Sequence, residues 1–568
     1  MDLAASCLGG ARGAPGGDRG RRVDHRHRPV DRSDRLCRMM RPLPLIEALH
    51  AGATLAVEGG LARPVGPRTV WRLAGAGLRH QVSASALLAL SAAQWPDRAC
   101  VIDDDGPTSY SDVYARTGRL AGALRAQGVT RRSRVGVMSR NHVGFVVASF
   151  AILWADADLV LVNTDFSGPQ LGAVAGDQGL DLLVHDVEFA DRVATAGLEG
   201  IAVTADRAGS GSIEALEALS LPPPRTGGSH GRLVILTSGT TGAPKGSRRD
   251  ADLLGALAPV SSLLRGIGLH SGDPVLIAPP VFHGFGLAYL LMSLAFGCPV
   301  VLTRRFDAED MLRRIERDRV TVMFAVPVML GRLLDVPTDV RTAIDVSALR
   351  AVQSGAAPLS PALATRFMDA FGDVLHDVYG STETGWSTLA TPADLRAATG
   401  TVGRPLRGVS VRILDTDDRR LPAGEVGGIF ISSGMTAPAY TGGGSKRVVD
   451  RHVSTGDLGH LDASGRLFVD GREDDMIVSG GENVFPGEVE DLLDSHPDVQ
   501  EAYVHGVDDE EFGQRLRAVI VLRPGRQLSV TDVRSYVRER LARYKVPRDV
   551  EYAKTLERTA TGKVKRVR

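Results

Sequence analysis

The 568-residue sequence predicts an α/β protein: a large N-terminal domain of parallel sheets with helices plus a β-rich subdomain, followed by a small α+β C-terminal domain. Three patterns lead there. Strands alternate with helices between residues 134 and 184, short strands separated by turns take over between 403 and 431, and a smaller αβ unit begins after 471. The length also exceeds what one ordinary core accommodates.

Residues 1–42 carry ten arginines, Gly9-Gly10 and Gly16-Gly17 without hydrophobic period, which reads as a disordered tail. Met39-Met40, just ahead of Arg41-Pro42, offer an alternative start. Residues 43–95 read as helical packing or loosely attached structure, and peripheral membrane contact there stays open. Arg134–Met138 is a buried strand, His142–Trp154 a helix and Leu159–Val162 the next strand; a helix near Gln170–Asp177 and a strand at Asp181–Val184 complete a β-α-β-α-β run. Leu233–Leu236, Pro274–Ile277, Pro299–Leu302 and Val320–Phe324 continue the rhythm, and Val409–Leu414 and Gly428–Ser432 belong to the β-rich part. The last unit holds a helix at Gly487–Ser495, strands near Ala502–Val507 and Leu516–Leu522, and a helix at Val530–Arg543.

Composition excludes several function classes. Basic and acidic residues balance at 67 each, so the whole chain has no electrostatic reason to seek nucleic acid. No window reaches the ~18 apolar residues of a membrane helix. Cys7, Cys37, Cys100 and Cys298 form no CxxC pair, which fits a reducing cytoplasm. Oligomeric state is not legible. Only six of the 67 basic residues are lysine, at 245, 446, 545, 554, 563 and 565. Where Arg has replaced Lys so widely, a surviving Lys marks a place where a compact ammonium is needed.

After the strand Leu233–Leu236 comes Thr237-Ser238-Gly239-Thr240-Thr241-Gly242-Ala243-Pro244-Lys245-Gly246. Hydroxyls and glycines leaving a buried strand expose donors suited to a polyphosphate, with one ammonium at the end. Pro244, five after Gly239, rules out a Walker loop. The run resembles the phosphate loop of the adenylate-forming superfamily, which includes acyl-CoA synthetases, firefly-type luciferases and peptide-synthetase adenylation domains. The resemblance covers about residues 97–568, with further motifs in the family's order.

That resemblance implies the roles that follow. Thr237, Ser238, Gly239, Thr240, Thr241, Gly242 and Lys245 hold the β- and γ-phosphates of ATP. In Tyr379-Gly380-Ser381-Thr382-Glu383, Tyr379 stacks on adenine, Thr382 contacts the α-phosphate and Glu383 binds Mg²⁺. Gly355, Ala356 and Ala357 form the adenine-side segment, small enough for close backbone approach. Thr455-Gly456-Asp457 alone would be a turn. Matched to the family, Asp457 and Arg472 reach the ribose and Asp474 is the hinge, which divides the chain into domains at 43–471 and 472–568. A terminal basic cluster alone reads as a solvated tail, but Thr561-Gly562-Lys563 resembles the terminus whose lysine bonds both carboxylate and α-phosphate; Glu557 stands where the family often has Pro. Gly480 and Gly481 belong to the loop that helps form the pantetheine channel once the small domain rotates.

The implied activity is that of an ATP-dependent acid–thiol ligase for a small-molecule carboxylic acid, with coenzyme A as co-substrate. His283, in Pro279–Gly286, lies between acyl and CoA sides. Acetate-activating relatives place tryptophan at the position of Gly380, so glycine suggests room for a medium- or long-chain fatty acid lined by Phe285, Leu287, Phe324, Val326 and Val328. Two alternatives remain: an acyl-AMP ligase delivering to a carrier protein, and a non-catalytic nucleotide-binding relative.

Overall fold

Short Val- and Leu-rich runs become strands buried on both faces when helices cover them, and that layering organises most of the chain. A computed structural model describes residues 52, 57, 59–61, 66–80, 84–198, 202–205, 211–225, 231–237, 245–247, 253–381, 383–436, 446–473, 476–479, 482–509, 513–559 and 564. All lie in one unit, Glu47–Arg568.

Helices α1 (Pro67–His80) and α2 (Ala84–Gln94) precede the antiparallel pair β1 (Ala99–Asp103) and β2 (Gly106–Ser109), then α3 (Tyr110–Ala126). The next elements are β3 (Arg134–Met138), α4 (Val143–Trp154), β4 (Asp158–Leu161), α5 (Gly168–Gln178), β5 (Leu182–His185), β6 (Ala202–Thr204), β7 (Leu233–Thr237) and β8 (Lys245–Ser247). They build a sheet in the order β6-β5-β3-β4-β7-β8, parallel except for β7–β8. Helix α4 is apolar on every side because it is covered on every side: all its residues but Leu153 are buried.

The second sheet starts with α6 (Leu253–Ile267), β9 (Val275–Ile277), α7 (Gly284–Ala295), β10 (Val300–Val301), β11 (Val322–Phe324), β12 (Ala351–Gly355), α8 (Pro361–Phe371) and β13 (Leu375–Ser381). It continues through β14 (Gly385–Ala390), β15 (Thr401–Pro405), β16 (Ser410–Leu414), β17 (Gly427–Ser432), β18 (Val448–Val449), β19 (His452–Leu461) and β20 (Leu467–Arg472). The order is β16-β17-β19-β20-β15-β14-β13-β12-β11-β9-β10-β1-β2, with β18 beside β19. From β1 to β13 the neighbours run parallel; from β13 onward every pair is antiparallel. The expected β-rich subdomain is thus a continuation of the parallel sheet, and β13 is the strand at which the two characters meet.

One core joins both sheets, with Val135, Val137, Leu159 and Leu161 of the first packed into the same cluster as Val275, Ile277 and Phe324 of the second. Polar ties reinforce it. The Asn141 amide donates to Pro279 O (2.9 Å) and accepts from Val281 N–H (2.8 Å). Asp186 accepts from His142 Nε2 (2.9 Å), Ser139 Oγ (2.7 Å) and Arg140 N–H (2.8 Å). Burial alone would raise this carboxyl; the bonds and charge around it hold it below its ordinary value.

The C-terminal elements are β21 (Ile477–Ser479), β22 (Glu482–Val484), α9 (Pro486–Asp494), β23 (Val499–Asp509), β24 (Gly513–Leu522), α10 (Val530–Arg538) and β25 (Asp549–Tyr552), around a separate core. Helix α10 ends at Arg538 rather than Arg543, because the chain turns there to bring Leu541 and Val546 onto that core. Among the described residues no helix is long and apolar enough to cross a membrane.

Candidate active site

Strand β13 delivers Tyr379 and Gly380 out of the parallel core into the pairing with β14, with a register shift between the two residues. Beside it, β19 and β20 place Asp457 directly across from Arg472. The three side chains converge. Tyr379 Oη donates to Asp457 Oδ2 at 2.5 Å, and Arg472 Nη1 donates to Asp457 Oδ1 at 3.4 Å. Burial, followed by the Asp457 charge, pushes the Tyr379 hydroxyl well above its usual value, so it stays a donor at every physiological pH. Asp457 N–H is itself fixed on Thr455 Oγ1 at 3.1 Å.

Gly456, between them, has φ +80°, a conformation costly for any residue with a Cβ. A Cβ there would also come within 3.3 Å of Lys446 Nζ and 3.5 Å of Arg472 Nη2. Lys446 donates to Thr455 O at 3.2 Å. Sequence reasoning assigned Lys446 no role, although its rarity as a lysine was the signal that could have found it.

Glu383 follows a hydroxyl turn: Ser381 Oγ accepts from the N–H groups of Glu383 (3.2 Å) and Thr384 (3.3 Å), leaving the half-buried Glu383 at the β13–β14 corner. Behind it, burial pushes the Asp377 carboxyl up to about 7. At the end of β12, a Cβ on Gly355 would meet Phe285 Cε2 and Val378 Cγ1 at 2.7 Å each, so these two side chains close on the backbone there. Ala356 follows with φ 65°, and Ala357 leads into the loop before α8. His283 stands at the N-cap of α7, its ring packed on Phe282 with centroids 4.5 Å apart. The adjacent Gly284 lies beside Ile235 of β7. Thr237 and Lys245 are backbone partners across β7–β8.

Ser238, Gly239, Thr240, Thr241, Gly242, Thr382, Asp474, Gly480, Gly481 and Lys563 lie outside the described residues. Their flanks are placed: Ser479 pairs with Glu482, and Arg558 bridges to Val564.

Two expectations about the acyl side change. Gly380 does not open a pocket: a Cβ there would fall 2.1 Å from Gly385 O and 3.2 Å from Trp386 Cα, so backbone of β14 already fills that direction. Nor do the five apolar residues line one tunnel. Phe285, Leu287 and Phe324 belong to the core shared by the sheets, whereas Val326 and Val328 pack in the separate core on the other face, because β11 ends at Phe324 and the chain turns at Val326 into the helix Pro327–Asp335. An aromatic group gathers instead. Tyr289 stacks on Phe324 (4.0 Å), with Phe285 (4.8 Å) and Trp386 (5.4 Å) against it, and Gln353 Nε2 donates to Tyr289 Oη. Neither Tyr289 nor Trp386 was singled out from sequence, where such residues look like ordinary core.

The family description "AMP-binding enzyme" matches residues 88–441, and "AMP-binding enzyme C-terminal domain" matches 488–563. The chain belongs to the AMP-binding enzyme family. It is thus a member of the adenylate-forming superfamily, as the phosphate-loop resemblance implies. This AMP-binding enzyme is 33% identical over 488 residues to the indoleacetate–CoA ligase of Aromatoleum aromaticum, covering 83% of this chain and 94% of that protein. It is 30% identical over 485 residues to the fatty acid–[acyl-carrier-protein] ligase ScoC of Streptomyces coeruleorubidus, covering 83% and 92%. Its fold matches the crystal structure of the anthranilate CoA ligase AuaEII in complex with anthranoyl-AMP at a TM-score of 0.76 and 26% identity, over 85% of this chain and 95% of that one.

The donor set of this AMP-binding enzyme fits Mg²⁺ arriving with ATP. Among the described residues no three His, Cys, Asp or Glu side chains cluster, and a lone carboxylate such as Glu383 plus phosphate oxygens is the usual holder of that ion.

Proposed function

We propose that this enzyme is an acid–thiol ligase for a carboxylic acid bearing an aromatic or fused ring. A carboxylate oxygen attacks the α-phosphorus of ATP, pyrophosphate leaves, and the CoA thiolate then displaces AMP from the acyl carbon. The observation that carries the nucleotide half is the convergence of Tyr379, Asp457 and Arg472 at the end of β13. Asp457, aligned by Arg472 and Tyr379, accepts from the ribose hydroxyls, while the Tyr379 ring, pinned by its hydroxyl, presents itself to adenine. The loop from Thr237 to Lys245 holds the outer phosphates. Lys563 and Thr382 act at the α-phosphate, and Lys446 adds positive potential beside Gly456. Mg²⁺ held by Glu383 supplies further neutralisation of the phosphate charge. Rotation at Asp474 exchanges Lys563 for the Gly480-Gly481 loop, with His283 between acyl and thiol sides.

The ring preference is supported by the half-buried Phe285 and Trp386, braced from below by Tyr289 and Phe324, next to the Gly355 backbone. Relatives acting on indoleacetate and anthranilate point the same way. A pyrophosphate-release assay tests it, with indoleacetate, ferulate, anthranilate and 2-succinylbenzoate set against C2–C18 fatty acids, each with and without CoA. Turnover of ring acids that needs CoA is the expected result. A preference for straight-chain acids would remove the ring assignment, and acyl-AMP accumulation indifferent to CoA would point to a carrier-protein acceptor.

A further inference from the structure

Helix α1 has two apolar faces, and among the described residues only one is packed. Leu73 and Ala76 pack toward α2, and His80, fully buried, bonds Ser85 Oγ (3.0 Å) and Tyr114 Oη (2.9 Å). On the far side, Val70 is 51% exposed and Trp71 80%, the most exposed large apolar side chain among the described residues. Helical spacing aligns Val70, Trp71 and Ala74 into one strip. The exposed Arg68 and Arg72, one turn apart, flank it, and the fourteen residues of the helix include neither Asp nor Glu. A solvent-facing helix is ordinarily polar on its outer side; one that is apolar there is covered by something.

Charge complementarity selects the cover. An apolar strip containing Trp, bordered by arginines and free of acids, matches the face an amphipathic helix lays into a bilayer interface. There the indole sits at headgroup depth and the guanidinium groups reach lipid phosphates along their aliphatic stems. The beginning of the sequence has the same sign: residues 1–42 contain ten Arg against five Asp and no Glu or Lys. Basic residues near an anionic leaflet add attraction that salt screens. We propose that α1 seats the enzyme on an anionic lipid surface, with Val70 and Trp71 in the headgroup region and Arg68 and Arg72 on the phosphates.

The full chain, mixed with vesicles of phosphatidylglycerol and phosphatidylcholine or of phosphatidylcholine alone, tests this by co-sedimentation and tryptophan emission. Binding to the anionic vesicles only, weakened by salt, with a blue shift that Trp71→Phe abolishes, is expected. The double substitution Val70→Ser/Trp71→Ser should weaken partitioning by about tenfold or more, since it removes the buried apolar area. Arg68→Ala/Arg72→Ala should flatten the salt dependence, and both variants should keep wild-type pyrophosphate release with a soluble acid. Equal binding by the Val70→Ser/Trp71→Ser chain would assign any attraction to the N-terminal arginines and overturn the role of α1. So would shielding of Trp71 from acrylamide without vesicles, since another part of this chain, a second copy or a partner protein would then cover the strip.

Discussion

Asp457→Asn isolates the nucleotide half of the site with one atom changed. In the wild type the carboxylate accepts from Tyr379 Oη at 2.5 Å and from Arg472 at 3.4 Å, with its side chain only 12% exposed. The ribose hydroxyls are the proposed further donors. An amide of the same shape keeps one acceptor oxygen but loses the charge, and hydrogen bonds to a charged group exceed neutral ones by about 1–1.5 kcal/mol each. Two ribose bonds weakened this way amount to about 2–3 kcal/mol, or about 30–150-fold in nucleotide affinity. The ribose lies away from the reacting atoms, so the loss falls equally on ground and transition states: KM for ATP rises while kcat changes less than about threefold. Pyrophosphate release across an ATP titration at saturating acid and CoA reads both. The urea unfolding midpoint of the variant provides the control for folding. A KM within about threefold of wild type, or a collapse of kcat at unchanged KM, would refute the ribose assignment.

Lys563→Ala should abolish adenylation yet leave pre-made acyl-AMP reactive with CoA, as stopped-flow of each half-reaction would show; equal loss of both steps counts against the two-orientation scheme. Gly355→Val should raise KM for the acid, because a Cβ there falls 2.7 Å from Phe285; an unchanged acid profile would sink the aromatic platform. Gly380→Ala should destabilise the fold by about 1–3 kcal/mol in urea unfolding through its clash with Gly385 O, without shifting chain-length preference. Asp377 sits near 7 when folded against an ordinary 3.8, so the folded state prefers it protonated and stability is lost as pH rises through that interval. Asp377→Asn should therefore stabilise more at pH 8 than at pH 5 in denaturant titrations, and the opposite slope would overturn that reading.

Much of the architecture is legible locally. Arg134–Met138, Val143–Trp154 and Asp158–Leu161 appear within a residue or so of their expected limits because period and burial agree there. Tyr379, Asp457 and Arg472, proposed to hold the nucleotide, each stood out inside a short motif. What they do to one another was not: the bond from Tyr379 to Asp457 spans 78 positions.

The acyl side shows the limit. Gly380 reads as spare room in sequence, but its meaning depends on what lies across the strand pair, and that is the Gly385 carbonyl. Phe324 and Val326 read as one lining, yet the strand ends at Phe324 and Val326, at the start of a helix, turns into the core on the other face. Periodicity and motif spacing therefore determined which elements form and which family chemistry they carry. Pocket shape was decided only by tertiary packing, because the volume beside a residue belongs to its neighbours in space rather than to its neighbours in the chain.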